Sequence, residues 1–201
     1  MTTNRKETTM TDEIMTQSRT PRLLGIGGST RAGSLSLRAL QAALRLEEEA
    51  GARAVLADVR ALDVPLYNAD RPLEDYPPTL AWLLGEARAA DAYILCSPTY
   101  HGTVAGAVKN VLDALNFLAS DDPPYLGGKV VGLMAFGGGA NVLNSLVHAT
   151  HALNGLAAPT MVTVPGAALD PDTGEIRDAA VGRRLALMVG DVIDLTRRLR
   201  R

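Results

Sequence analysis

The chain carries one cysteine, Cys96, in 201 residues, so no internal disulfide can form and a reducing, cytoplasmic setting is expected. Aromatic residues are few, at 4%. No apolar run nears the about 20 residues that a membrane-spanning helix needs, and residues 1–20 are polar, without the apolar stretch of an export signal. Charge is balanced: 20 Lys and Arg face 22 Asp and Glu, and a formal net charge of −2 gives neither nucleic acid nor an anionic membrane a reason to bind. His148 and His151 share a helical pattern in which no Cys, Asp or Glu completes a metal site, so they read as surface or interface residues. Two nucleotide-binding signatures are missing as well. G-x-G-x-x-G, counted from Gly25 through Gly27, meets Thr30 where its last glycine belongs, and no Lys-Ser or Lys-Thr pair completes a Walker loop.

What is present is a chain 47% hydrophobic and 21% charged, the profile of one ordinary soluble domain with length enough for a sizeable core. Residues 21–201 are read as that domain. Residues 1–20 cannot bury surface and are expected to be disordered, with Met10 and Met15 as alternative starts. From Pro21 onward, short apolar runs alternate with helical patterns. Strands are expected at Arg22–Gly27, Arg53–Asp58, Ala92–Ser97, Val130–Phe136 and Thr160–Val164. Helices are expected at Ser34–Ala50, Pro78–Ala90, Ala105–Leu118, Val142–Asn154 and Asp178–Arg200. Such alternation predicts a parallel sheet covered by helices on both faces. Arg197, Arg198, Arg200 and Arg201 suit the negative end of the last helix dipole.

Ligands of open parallel sheets bind outside the carboxyl ends of the strands, so the loops there carry the information. After the first strand comes Gly28-Ser29-Thr30-Arg31-Ala32-Gly33-Ser34-Leu35-Ser36, where a helix N-terminus, several hydroxyls and one guanidinium converge as they would on a terminal monophosphate. Ser34 serves equally well as a plain helix cap. After the third strand comes Ser97-Pro98-Thr99-Tyr100-His101-Gly102-Thr103, and after the fourth Gly137-Gly138-Gly139-Ala140-Asn141, whose glycines let backbone approach a flat ligand, with a helix starting at Asn141. A phosphate at the first loop and a planar group between the other two describe a mononucleotide with a large ring.

Several residues have plainer readings. Lys109 and Asp113 read as a helix pair, Asp58 as a turn or cap residue, and Cys96 as a small buried hydrophobe. His101 stands between ligand contact and a solvent-facing loop position.

Gly28-Ser29-Thr30-Arg31-Ala32-Gly33-Ser34, Pro65-Leu66-Tyr67-Asn68-Ala69-Asp70, Ala90-Asp91-Ala92 and Ser97-Pro98-Thr99-Tyr100-His101-Gly102 running into Gly106-Ala107-Val108-Lys109-Asn110-Val111-Leu112-Asp113 together resemble the NADPH-dependent FMN reductase family. The resemblance implies a flavodoxin-like, doubly wound α/β sandwich with a five-stranded parallel sheet in the order 2-1-3-4-5. It implies FMN as cofactor, NADPH or NADH as reductant, and a small acceptor such as free flavin, a quinone or an azo compound. Ser29, Arg31, Ser34 and Ser36 would hold the phosphate; Pro98, Thr99, Tyr100, His101 and Gly102 would edge the ring. Gly137, Gly138 and Gly139 would lie near the ring, and Asn110 joins the cofactor-binding set. No catalytic side chain is expected, because hydride transfer belongs to the cofactors.

Many relatives have Pro-Glu-Tyr-Asn-Gly after the third strand, whereas Thr99 and His101 stand here in place of the Glu and Asn. A homodimer or tetramer is implied, with the apolar helix Ala105–Leu118 serving as interface or as core, and a flavin-dependent monooxygenase is an implied partner. The alternative is a flavodoxin-type electron carrier, which benefits from a strongly acidic docking face that a net charge of −2 does not supply. A redox-silent mononucleotide-binding regulator is a weaker alternative.

Overall fold

The structure is a computed structural model that describes residues 20–200. The expected disordered tail, apart from Thr20, and Arg201 of the terminal arginine group lie outside the described residues. The chain runs β1 (Arg22–Gly27), α1 (Leu35–Glu49), β2 (Arg53–Asp58), a short α2 (Val59–Leu62), α3 (Pro78–Ala89), β3 (Ala92–Tyr100), β4 (Thr103–Val104) and α4 (Gly106–Ala114). It continues through β5 (Val130–Phe136), α5 (Ala140–Ala152), β6 (Leu156–Val164) and α6 (Ala179–Leu199). The sheet order is β2-β1-β3-β5-β6 with every neighbouring pair parallel, which is the expected five-stranded arrangement. A sixth strand, β4, corrects the count: its two residues pair antiparallel with the end of β3.

Residue alternation along the strands builds one core on each face of the sheet. Leu24, Ile26, Tyr93, Leu95, Val131 and Leu133 pack with Leu80, Leu83 and Leu84 of α3, Val108 and Leu112 of α4, and Val142 and Leu146 of α5. Their neighbours Leu23, Ile94, Cys96, Val130 and Met134 pack on the other face with Leu40, Ala43 and Leu44 of α1 and Leu185, Met188 and Val192 of α6. Each fully buried leucine in these stripes contributes about 2 kcal/mol of transfer free energy. Local signals fix the helix starts. Pro78 opens α3, where a missing N–H costs nothing, and the Asp178 carboxylate accepts the N–H groups of Ala180 at 2.8 Å and Val181 at 3.1 Å to open α6.

The last strand and the last helix both differ from expectation at one boundary, and the expected helix Ala105–Leu118 ends as α-helix at Ala114 and continues as a 3-10 turn over Leu115–Leu118. β6 begins at Leu156, four residues before the expected Thr160, because Pro159 hides the strand pattern. Ala158, Pro159 and Thr160 fall in a register shift between the pairs Val131↔Ala157 and Leu133↔Met161, so the proline needs no ladder N–H. The last helix ends at Leu199, and the Arg200 guanidinium lies 3.2 Å from Asp91, whose carboxylate also accepts the Arg22 N–H at 2.8 Å. At least one of the terminal arginines therefore pins the helix to the amino edge of the sheet.

Glu47 occupies a core position on the inner stripe of α1, one heptad after Leu40, and is 0% exposed. Neither carboxyl oxygen has a hydrogen-bond partner among the described residues. Burial, with a smaller contribution from the neighbouring Glu48 charge, pushes its pKa up from 4.5 to about 8. The folded protein thus keeps a proton that the unfolded chain releases above its lower, ordinary value, and stability falls as pH rises from about 4.5 to about 8. Each pH unit inside that window costs at most about 1.4 kcal/mol. Urea unfolding of Glu47→Gln at pH 5, 6.5 and 8 is expected to show a flatter pH dependence than the parent, with the largest gain at pH 8; equal slopes for both proteins would refute the assignment.

Candidate functional site

β1 and β3 are hydrogen-bonded neighbours, with Gly27 in register with Cys96. A Cβ built on Gly27 would lie 2.2 Å from the Cys96 carbonyl oxygen, so only glycine lets β1 stay this close to β3. β1 stops at Gly27 while β3 continues to Tyr100, leaving Ser97–Tyr100 projecting above the loop that follows β1.

That loop ends in the N-cap of α1, where Ser34 Oγ accepts the Leu37 N–H at 3.3 Å. Ser34 also takes part in a buried hydroxyl chain: Ser29 Oγ donates to Ser34 Oγ at 2.9 Å, and the Ser34 and Ser36 hydroxyls are 2.9 Å apart. Ser29, Ser34 and Ser36 are 4%, 5% and 2% exposed. Among the described residues, none of the N–H groups of residues 30–34 enters a hydrogen bond, and Arg31 forms no ion pair. One loop therefore carries unpaired N–H groups, the positive end of α1, an exposed arginine and three hydrogen-bonded hydroxyls. Such a donor set fits a phosphate monoester, whose oxygens accept only. The cradle opens on a cavity of 380 Å³ whose near wall is Ser29, Arg31, Gly33 and Ser34.

The segment expected to be a loop after Ser97 is largely strand. Pro98 stays in register with Phe136, Thr99 pairs with Val104, and Tyr100 pairs with Thr103. His101 and Gly102 make the hairpin connection with φ of 49° and 82°. Two positive φ values in a two-residue hairpin are the signature of a type I′ turn. Histidine is among the residues enriched in that region, so His101 does the conformational work of an asparagine. Inside the hairpin, Ser97 Oγ accepts the Ala105 N–H at 2.9 Å and donates to the Pro98 carbonyl at 2.8 Å. Tyr100, at 48% exposure, and His101 are presented to solvent at its tip.

Thr99 brings the second and third loops together. Its hydroxyl lies 2.6 Å from the Gly138 carbonyl oxygen and 3.2 Å from that of Phe136. Gly137, Gly138 and Gly139 have φ of 88°, 88° and 145°. α5 starts at Ala140 with Gly139 in the cap position and no side-chain cap, one residue ahead of the start expected at Asn141. The glycines make the turn by themselves, so Asn141 is not needed as a cap.

Asn110 stands apart from these loops in what it does. Its amide nitrogen donates to the Val64 and Pro65 carbonyls, both at 3.0 Å, and its oxygen accepts the Tyr67 N–H at 2.7 Å. Both donor hydrogens are committed to holding residues 64–67, and an acceptor lone pair is what remains for a ligand. Lys109 and Asp113 pair at 2.5 Å along α4. Asp58 caps α2 by accepting the Arg60 N–H at 3.0 Å. Burial pushes the Cys96 thiol up to about 12, and it donates to the Ser36 carbonyl at 3.4 Å, so it behaves as an inert core residue under the cradle. His148 and His151 are exposed on α5. Sequence reasoning missed the side chains that line the cavity beyond the cradle, Arg38, Gln41 and Arg60. Their spacing carries no motif, and the helix pattern alone marks Arg38 as about one turn and Gln41 as about two turns past Ser34.

Comparison with known proteins bears on the family and the fold. A probable NADPH:quinone oxidoreductase 2 of Oryza sativa subsp. japonica is 30% identical over 137 residues, covering 68% of this chain and 66% of that protein. An NAD(P)H-dependent FMN reductase of Pseudomonas aeruginosa is 39% identical over 92 residues, covering 46% of this chain and 48% of that protein. The chain thus matches less than two thirds of either relative's length. Among solved structures, FerB of Paracoccus denitrificans, described as a flavoenzyme NAD(P)H:(acceptor) oxidoreductase, superposes with a TM-score of 0.70 at 19% identity, covering 89% of this chain and 98% of that one. This likeness is one of fold. Residues 21–171 match the family described as NADPH-dependent FMN reductase, and the chain belongs to that family.

Proposed function

We propose that the protein binds FMN across its three loops and works as an NAD(P)H-dependent oxidoreductase that delivers electrons to a small acceptor, such as a quinone, free flavin or an azo compound. The observation that carries this reading is the cradle, in which Ser29, Arg31, Gly33 and Ser34 line one cavity, the N–H groups of residues 30–34 have no partner among the described residues, and the loop lies at the sheet edge where the Pro98–Gly102 hairpin and the Gly137–Gly139 turn also stand. Ser29, Arg31, Ser34 and Ser36 would hold the phosphate. Pro98, Thr99, Tyr100, His101 and Gly102 would edge the ring, with the glycine turn near it and Asn110 supporting the set from residues 64–67. When bound, FMN supplies the hydride-accepting centre and the protein supplies position and hydrogen bonds.

The work left to the chain is orientation. The Thr99 bridge to Gly138 holds hairpin and glycine turn at a fixed separation, which suits a rigid flat ligand. Backbone N–H groups of the hairpin are the donors available to a ring edge that gains negative charge. In this reading residues 21–201 form one cytoplasmic domain, consistent with a single buried cysteine. Assembly as a homodimer or tetramer, and delivery of reduced flavin to a flavin-dependent monooxygenase, complete the proposal. Leu66, 84% exposed beside the Asn110 clamp, is an apolar contact available to a second copy.

Flavin fluorescence titration of Arg31→Ala is expected to show FMN affinity reduced by roughly tenfold or more, the loss of one charge-assisted phosphate contact. Riboflavin, which has no phosphate, should bind parent and variant alike; unchanged FMN affinity would mean that the cradle holds something else. Anaerobic addition of NADPH to FMN-loaded protein should bleach the flavin absorbance promptly, whereas no bleaching with either nicotinamide would favour an electron carrier. In the hairpin, His101→Asn should retain turnover and thermal stability, while His101→Val, which resists positive φ, should lower both.

A further inference from the structure

We propose that the cavity beyond the phosphate cradle is a subsite for the adenylyl half of FAD, so that the protein accepts the dinucleotide flavin as well as FMN. The inference rests on the FMN reading of the cradle and extends it along the same cavity.

Volume is the first observation. The cavity measures 380 Å³, about a dozen times a water molecule's share of the liquid. A terminal phosphate is five heavy atoms and fills a minor part of that. The remainder runs along α1 to the carboxyl end of β2, where Leu37, Arg38, Gln41, Asp58 and Arg60 line it. This space is a groove about half open to solvent, and it is continuous with the cradle.

Charge is the second. Arg31, Arg38 and Arg60 face one carboxylate, Asp58, in the same cavity. A phosphate monoester is matched by Arg31 and the N-terminus of α1. Of the remaining Arg38 and Arg60, one charge is offset by Asp58, so one net positive charge is left over, which matches the single negative charge of a second phosphate. The Arg38 guanidinium donates to the Asp172 backbone carbonyl, which leaves its charge unneutralised. Arg60 is exposed and has no acidic partner among the described residues. A second phosphate joined directly to the first places its charge within reach of this pair, and a pyrophosphate is such a group.

The polar groups further along suit a nucleoside. Asp58 sits at the tip of β2 against the cradle, with its Oδ1 3.2 Å from where a Gly28 Cβ would be. Oδ1 accepts the Arg60 N–H at 3.0 Å, and Oδ2 remains to accept from ribose hydroxyls. A carboxylate in that position binds ribose in dinucleotide folds. Gln41 offers amide N–H donors beside a carbonyl acceptor, the pairing that an adenine edge needs, and lines the cavity. Leu37 supplies an apolar surface between the phosphate and base positions. The adenine end of a nicotinamide dinucleotide carries the same chemistry, but its pyrophosphate is not linked to the cradle phosphate; covalent continuity favours FAD.

The test compares FMN and FAD on the flavin-free full-length protein by fluorescence titration, with Arg60→Ala and Arg60→Glu alongside the parent. The parent is expected to bind FAD at least as tightly as FMN. Arg60→Ala should weaken FAD by about tenfold and Arg60→Glu by more, with FMN affinity within about twofold of the parent for both. FMN binding with FAD excluded, or equal effects of the variants on both flavins, would overturn this inference and leave the FMN reading standing. Failure of both flavins to bind would overturn the reading beneath it. Arg60-dependent binding of 2′,5′-ADP to FMN-loaded protein would assign the subsite to the nicotinamide dinucleotide and overturn the inference as well.

Discussion

The site depends on one close approach, Gly27 at the tip of the central strand β1. It is in register with Asp58 of β2 on one side and Cys96 of β3 on the other. A methyl group at this position would meet the Cys96 carbonyl oxygen, so the two ladders can close around β1 only because the side chain is missing. Strand order makes the position consequential. The chain passes from β1 outward to β2 and returns to the other side for β3, and a crevice opens wherever consecutive connections diverge in this way. β1, which ends level with β2, forms the crevice floor; the overhang of β3 past Cys96 forms its wall.

α1 couples this crevice to the core. Its first turn carries the cradle hydroxyls, its inner stripe packs Leu40, Ala43 and Leu44 against the sheet, and its last turn buries Glu47. A rigid helix anchored along its length fixes where its N-terminal N–H groups point, and an anion site gains affinity from donors that need not reorganise. The uncharged Glu47 is the weak point of that anchor. An apolar residue of similar volume would pack without a desolvation cost, so the carboxyl at this place is a stability liability with no hydrogen bond to offset it.

Much of the fold was legible because strands buried on both faces read as continuous apolar runs. β1 and β5 have the bounds expected from sequence, and so does β2, a half-exposed edge strand marked by its Ala54-Val55-Leu56-Ala57 run. Legibility failed where backbone chemistry overrode composition. Pro159 concealed the first half of β6 because a proline argues against a strand unless a bulge removes its N–H from the ladder. Pro98 concealed the last residues of β3 for the same reason. The His101–Gly102 turn was hidden because the familiar hairpin signal is Asn-Gly or Asp-Gly, and β4 is too short to announce itself by alternation. For the site, the cradle was readable as a local cluster on contiguous residues. The clamp that Asn110 forms was not, since its partners at residues 64–67 are more than forty positions away and periodicity carries no such information.

The departures from the family pattern at Thr99 and His101 are explained by what each position does in three dimensions. At 101 the requirement is a positive φ, which histidine tolerates, so the backbone of the hairpin is preserved while the imidazole is placed in solvent. At 99 a short hydroxyl replaces a long acid and turns inward to the Gly138 carbonyl. A carboxylate could not make that bond, because an ionised acid has no hydrogen to donate to a carbonyl oxygen. The exchange therefore trades a charge at the hairpin for a direct tie between hairpin and glycine turn. Flexible glycines need such a tie: three successive positive-φ residues have little conformational preference of their own, and the Thr99 bond restricts them to a shape complementary to the hairpin.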